Sequence, residues 1–212
     1  MRRALIGLAV TAFTVLALAG PASAASGQVT TLRFHGTFAE AFWSTNSTAS
    51  FTDTMVVVST LKKGSELSVD HFTGNLDNMG NFTGGTDTFA DVTTGFSFAI
   101  DKTHLTSAST SGSGLSATTC SVDQFGNEFG CSATTIDVTV VWTGLGPIAR
   151  QVVNQHFKSS GFSQTLHFNG TDRAATATGT VAGSTLSASE LQFADLGFTN
   201  SGTITRCIGL SC

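Results

Sequence analysis

Ile136-Asp137-Val138-Thr139-Val140-Val141-Trp142 decides how this chain reads. Apolar side chains at 136, 138, 140 and 142 alternate with polar ones at 137 and 139. A period of two places the first set on one face of an extended strand and the second on the other. A helix would repeat its apolar positions every three or four residues instead.

The alternation spreads outward from there. Ala175, Ala177, Gly179 and Val181 form a strand of small residues. Ile148 to Lys158 continues as strand with mixed faces, after a break at Gly144–Pro147. Phe162, Leu166 and Phe168 follow, with Asn169-Gly170 as a turn signal. Leu191 and Phe193, then Phe198 and Ile204, close the chain. Toward the N-terminus, Leu32, Phe34, Phe38 and Phe42 share one parity. Thr31, Arg33, His35 and Thr37 share the other, which predicts a phenylalanine core face and a wet face. Phe51, Met55 and Val57 alternate with threonines, and Val56 and Val58 make this strand apolar on both faces. Lys62-Lys63-Gly64 turns it. Leu67, Val69 and His71 form the next set, and Phe96, Phe98 and Ile100 another. Asn75 to Gly85, crowded with Asn, Asp and Gly, reads as a turn region. Ser107 to Ser113 reads as a Ser/Thr/Gly loop or linker. No convincing amphipathic helix emerges. About ten to twelve short strands of this kind predict an all-β fold, an antiparallel β-sandwich or β-barrel.

Composition agrees. The chain has 17 Phe, 2 Trp, 23 Gly, 2 Pro and no Tyr. Such a chain is poor helix material and good sheet material. Phenylalanine has no polar tip, so its expected place is a dry core. The absence of Tyr weakens sugar-binding and outer-membrane-barrel readings, which use amphipathic rings at interfaces.

The N-terminus carries a positive pair, Arg2-Arg3, an apolar run from Ala4 to Gly20, and Ala22-Ser23-Ala24 after Pro21. That layout predicts a secretory signal peptide, residues 1–24, and a mature single domain, 25–212. The alanine-rich signal points to a bacterial source. No later segment is apolar enough for a helical membrane span. Removing residues 1–24 lowers Lys+Arg from 10 to 8 against 14 Asp+Glu, a net charge of −6. Basic residues are scattered, which argues against nucleic-acid binding.

Export puts the four cysteines where thiols oxidise. Three connectivities are possible for Cys120, Cys131, Cys207 and Cys212, and local pairing, 120 with 131 and 207 with 212, is the simplest. CSVDQFGNEFGC, residues 120–131, then reads as a stapled hairpin. Its register places Asp123 opposite Glu128 around a Phe125-Gly126 turn. The two acids would repel there unless solvated or bridged by a cation.

A faint internal echo suggests two pseudo-repeated halves, 29–110 and 114–212. Trp43, His71, Phe89 and Gly95 recur as Trp142, His167, Phe193 and Gly197, at offsets of 99, 96, 104 and 102. His71 shares a face with Leu67 and Val69, whereas His167 faces away from Leu166 and Phe168.

Catalytic signatures are absent. There is no G-x-S-x-G elbow, no H-E-x-x-H and no nucleotide-binding glycine loop. The five histidines, at 35, 71, 104, 156 and 167, could form a site only by meeting in space, and as they stand they read as single strand histidines. No cofactor is expected. Calcium is the one metal with candidate ligands: Asn75, Asp77, Asn78, Asn81, Asp87 and Asp91 supply oxygens within one region. Their spacing does not match an EF-hand, and ordinary turns use the same residues. The expectation is a secreted, non-catalytic β-domain that binds an extracellular partner or small ligand, or serves at the cell surface. The alternative is a secreted barrel hydrolase or isomerase with a His/acid site at the barrel mouth.

Overall fold

A computed structural model describes residues 28–61, 64–159 and 162–208. The expected signal peptide lies outside them. The side chains of Leu32, Phe34, Phe162 and Ile204 also lie outside the described ones. Every regular element among the described residues is a strand. The eleven are β1 (Gln28–Asn46), β2 (Ser50–Leu61), β3 (Gly64–Leu76), β4 (Phe82–Val92), β5 (Phe96–Ile100), β6 (Ser107–Val122), β7 (Glu128–Gly144), β8 (Ala149–Ser159), β9 (Phe162–Val181), β10 (Ser184–Leu186) and β11 (Leu191–Ile208).

The chain divides into two compact units. The larger comprises Arg33–Val153 and His167–Gly202. Among the described residues, the smaller comprises 28–32, 154–159, 162–166 and 203–208. Within the smaller unit, His156 Nδ1 and Thr165 Oγ1 meet at 2.9 Å, tying β8 to β9.

The larger unit holds a closed antiparallel ring. Neighbours run β9-β11-β1-β2-β3-β4-β6, and β7 joins β6 to β9. Consecutive long strands lie side by side, so the ring is an up-and-down meander closed by β11 against β1. β5 pairs with the first half of β6 and β4 with the second half, so the two share one place in the ring. β6 continues through positions 110–114, with a bulge between Gly112 and Leu115 where Gly114 takes φ 61°. The Ser107–Ser113 tract is therefore strand and not loop. Its inward residues Ala108 and Thr110 are small and buried, its outward serines exposed, so its alternation carries little hydrophobic contrast.

One side chain in two points into the ring. In register, Ala39, Val58, Leu67 and Val92 form one layer, and Ala41, Val56, Val69 and Ala90 the next. Ile136, Val138, Val140 and Trp142 of β7 and Ala175, Ala177 and Val181 of β9 complete the core. Trp43 and Trp142 are the largest fully buried side chains, and the Trp142 indole donates to the Glu40 carbonyl at 2.9 Å. Leu105 and Leu186 belong to the same core cluster; they lie next to opposite ends of the strands.

This overturns one expectation. On β1 the core face is Thr37, Ala39, Ala41 and Trp43, while Phe38 and Phe42 stand on the other face, half-buried. No phenylalanine is fully buried among the described residues. A ring of eight strands leaves a narrow interior, which alanine and valine fill without strain. The outward phenylalanines lie flat over glycines of neighbouring strands. Phe51 covers Gly74, Phe72 covers Gly85, and Phe38 covers Gly197. A β-carbon at Gly74 or Gly197 would run into the ring, and one at Gly85 would first meet the Thr73 carbonyl.

Candidate functional site

β1, β3 and β6 run the same way, so the β1–β2, β3–β4 and β6–β7 turns gather at one rim. Two of these turns are built alike from the pattern Asp-x-apolar-Gly-Asn. In Asp77-Asn78-Met79-Gly80-Asn81, the Asp77 carboxylate accepts from the Met79 and Asn81 amides, each at 2.8 Å. In Asp123-Gln124-Phe125-Gly126-Asn127, Asp123 accepts from Phe125 and Asn127 at 2.8 and 2.9 Å. Gly80 and Gly126 take φ of 81° and 82°, the left-handed geometry such three-residue loops require. The asparagine side chain, followed by the backbone amides, holds each aspartate below the usual carboxylate range. Met79 and Phe125 are left at the tips, 83% and 79% exposed.

The second turn corrects the expected hairpin register. Thr119 pairs with Ser132, but Ser121 pairs with Phe129, so β7 carries one extra residue at Gly130–Cys131. Gly130 adopts φ 63° there. Val122 therefore faces Glu128, and Asp123 bonds to Asn127 across the loop. The bulge sits beside the Cys120–Cys131 disulfide, whose Cα atoms are 4.0 Å apart. The expected Cys207–Cys212 pair involves a residue outside the described ones.

Below these tips lies an open cleft of ≈ 260 Å³, lined by Phe51, Phe72, Phe82, Asp87, Val122, Gly126 and Glu128. Its floor is aromatic. The three ring centroids are 5.5, 6.0 and 6.1 Å apart, within the range of favourable edge and offset contacts. Its polar edge is acidic. Asp87, in register with Phe72 and Cys120, carries a buried Oδ1 with no hydrogen-bond partner. Loss of water around Asp87, then the negative charges of Asp70 and Glu128, push its carboxyl up to about 6. Asp70 is raised too, chiefly by lost solvation, and a hydrogen bond with Asp87 partly offsets this. Two ionised carboxylates cannot bond to each other, so the Asp70–Asp87 bond exists only while Asp87 holds a proton, which it gives up as the pH rises through about 6.

A second acidic group lies on the outward face of β1, β11 and β9. Phe42 stacks with Phe193 at 5.8 Å and Phe38 covers Gly197, which sets Glu40 opposite Asp195. Glu40 is 1% exposed, and neither of its carboxyl oxygens has a partner. Burial, then Asp195 and Asp172, push it up to about 8. Asp195 is raised to about 6, by burial and then by Asp172. Asp172 accepts from Gln151 at 3.0 Å.

Inside the ring, one layer is polar. Thr54 Oγ1 meets His71 Nδ1 at 2.8 Å, Ser184 Oγ lies 3.5 Å from its Nε2, and Thr88 meets Thr119 at 2.9 Å. Burial lowers the His71 pKa. The other histidines scatter: His35 meets the Asn200 carbonyl, His104 lies 3.7 Å from Asp101, and His156 bonds Thr165.

The calcium candidates do not converge. Asp77, Asn78 and Asn81 form the first turn, and the Asp77 carboxylate is occupied by that turn's own donors. Asn75 lies within β3, opposite Ser50 and Gly84. Asp87 belongs to the cleft, about 20 Å along the strand from Asn81 at ~3.3 Å per residue. Asp91 lies further along and accepts from Ser68 at 2.6 Å. The one cluster of metal-type side chains among the described residues is Cys120, Glu128 and Cys131, whose two sulfurs are bonded to each other. The cleft itself escapes sequence reasoning because its residues come from five strands and a turn. The repeated turn pattern, by contrast, is visible as D-x-Φ-G-N at 77–81 and 123–127.

No helix among the described residues is long and apolar enough to cross a membrane. Comparison of the chain with protein-family models, curated proteins and solved structures found no match.

Proposed function

We propose that this is an exported, non-catalytic β-domain of bacterial origin that binds a small ligand, or a side chain of an extracellular partner, in the rim cleft. One observation carries the reading. A concave, aromatic-floored cleft with two convergent carboxyl groups sits on a closed sheet beside a disulfide. Apolar walls with few polar groups are the usual make-up of a ligand site. The signal-like N-terminus and the oxidised Cys120–Cys131 pair support export. The histidine on the inward face, His71, bonds to hydroxyls of Thr54 and Ser184, which is not the histidine–acid pairing that general-base chemistry uses.

Nuclear magnetic resonance of residues 25–212 with neutral, cationic and anionic aromatic fragments tests this. Shifts centred on Phe51, Phe72, Phe82, Val122 and Gly126 are expected for at least one fragment. If no fragment perturbs those residues, the reading is wrong.

A further inference from the structure

We infer that the occupant of the rim cleft is an organic ammonium, its positive head on Asp87 and Glu128 and its apolar body on Phe51, Phe72 and Phe82. This rests on the cleft being a binding site and adds the chemistry of its ligand.

The lining leaves little choice. The three rings are phenylalanines, so they offer π faces and apolar edges but no hydroxyl. The polar side chains facing the cleft are Asp87 and Glu128, and an ionised carboxylate only accepts hydrogen bonds. A ligand that donates and carries positive charge satisfies both; a neutral or anionic head does not. The Asp87 Oδ1 is buried and unpartnered, an acceptor awaiting a donor. No lysine or arginine pairs with Asp70, Asp87 or Glu128 among the described residues, so their repulsion is not relieved from within. A cation over the ring faces gains further from their quadrupoles. At ≈ 260 Å³ the cleft lies just under the roughly 300–1,000 Å³ of drug-sized sites, which suits a small amine or a single side chain.

The ammonium has two sources, a free amine or a lysine side chain of a partner. Titration calorimetry of residues 25–212 with phenethylammonium, 2-phenylethanol and an N-acetyl-lysine amide separates the cases. The amine is expected to bind about tenfold or more tightly than the isosteric alcohol. Asp87→Asn, with Glu128→Gln as a second variant, should shrink that preference while leaving the alcohol unchanged. Lowering the pH from 7 to 5 protonates Asp87 and should weaken the amine alone. The charged groups acting on Asp87 are Asp70 on β3 and Glu128 on β7, while Asp53 on β2 and Asp91 on β4 act on Asp70; β6 presents Cys120 and Val122, which do not titrate there. Tight binding of the lysine amide assigns the source to a partner, and binding of the free amine alone assigns it to a small molecule; both support the inference. Equal binding of amine and alcohol overturns it and leaves the cleft reading standing. Binding of none of the three overturns both.

Discussion

Glu40→Gln should make this protein more stable at neutral and mildly alkaline pH, although it removes a buried acid and adds no contact. In the folded chain the Glu40 carboxyl is pushed up from 4.5 to about 8. In the unfolded chain it ionises near 4.5. A raised folded value means that the native state binds the proton more tightly. Stability is then fully present below pH 4.5 and declines as the pH rises through the folded value. At pH 7 the unfolded carboxylate must recapture a proton to fold, over about 2.5 pH units, or about 3 kcal/mol at ~1.4 kcal/mol per unit. Between pH 5 and 8 the loss grows to about 4 kcal/mol. Glutamine keeps the shape and stays neutral. Urea unfolding of residues 25–212 and of the variant at pH 5, 7 and 8 reads the difference directly. The curves should agree near pH 5 and diverge in favour of the variant above it. Asp195, raised to about 6, adds a slope of the same sign in both proteins, so the comparison isolates Glu40. Asp101, held down to about 2 by the Thr106 hydroxyl and then by backbone amides, acts only below pH 4, outside this window. Parallel pH profiles for the two proteins would refute a buried, protonated Glu40.

Three further outcomes follow from the packing. Replacing Cys120 and Cys131 together by alanine should cost about 3 kcal/mol, the chain-entropy value for a loop of this length, seen as a lower urea midpoint in the variant or in the reduced protein. Gly179→Ala should destabilise more than Gly74→Ala: the new methyl meets the Thr139 carbonyl and Val140 Cα of the backbone in the first case, but only the Phe51 ring, which can swing aside, in the second. Thermal melts that rank the two in the opposite order would count against the described β7–β9 register. Trp142→Phe should cost roughly 2–4 kcal/mol, since it opens a cavity in the core and strips the Glu40 carbonyl of its donor; denaturant titration measures it.

The strand class was plain in residues 136–142, where large apolar side chains at every second position alternate with Asp137 and Thr139, Val141 alone breaking the pattern. It was equally plain in Ala175–Val181, and both segments face inward as their pattern implies. The inside of β1 was not. In Thr37-Phe-Ala-Glu-Ala-Phe-Trp43 both parities carry apolar side chains, and hydrophobicity favours the phenylalanines. Ring curvature decides otherwise, because a narrow interior takes alanine and the rings find flat glycine seats outside. Ser107–Ser113 reads as a loop for a related reason: its inward residues are too small to register as a core. Asp87 was visible as one of six oxygen donors between Asn75 and Asp91, but its actual partners were not. Asp70 lies seventeen positions earlier and Glu128 forty-one later in the sequence, and only cross-strand register, together with the bulge at Gly130–Cys131, brings them to one edge. Glu40 looks from the sequence like a solvated strand residue; nothing local signals its burial.

The seam between β11 and β1 joins the last long strand to the first. A chain synthesised from its N-terminus can form its hairpins one by one, yet β1 keeps a bare edge of amides and carbonyls until residues beyond 190 exist. Final assembly thus waits until β11 has been made, and truncation anywhere before β11 would leave an unsealed sheet prone to pair with its own copies.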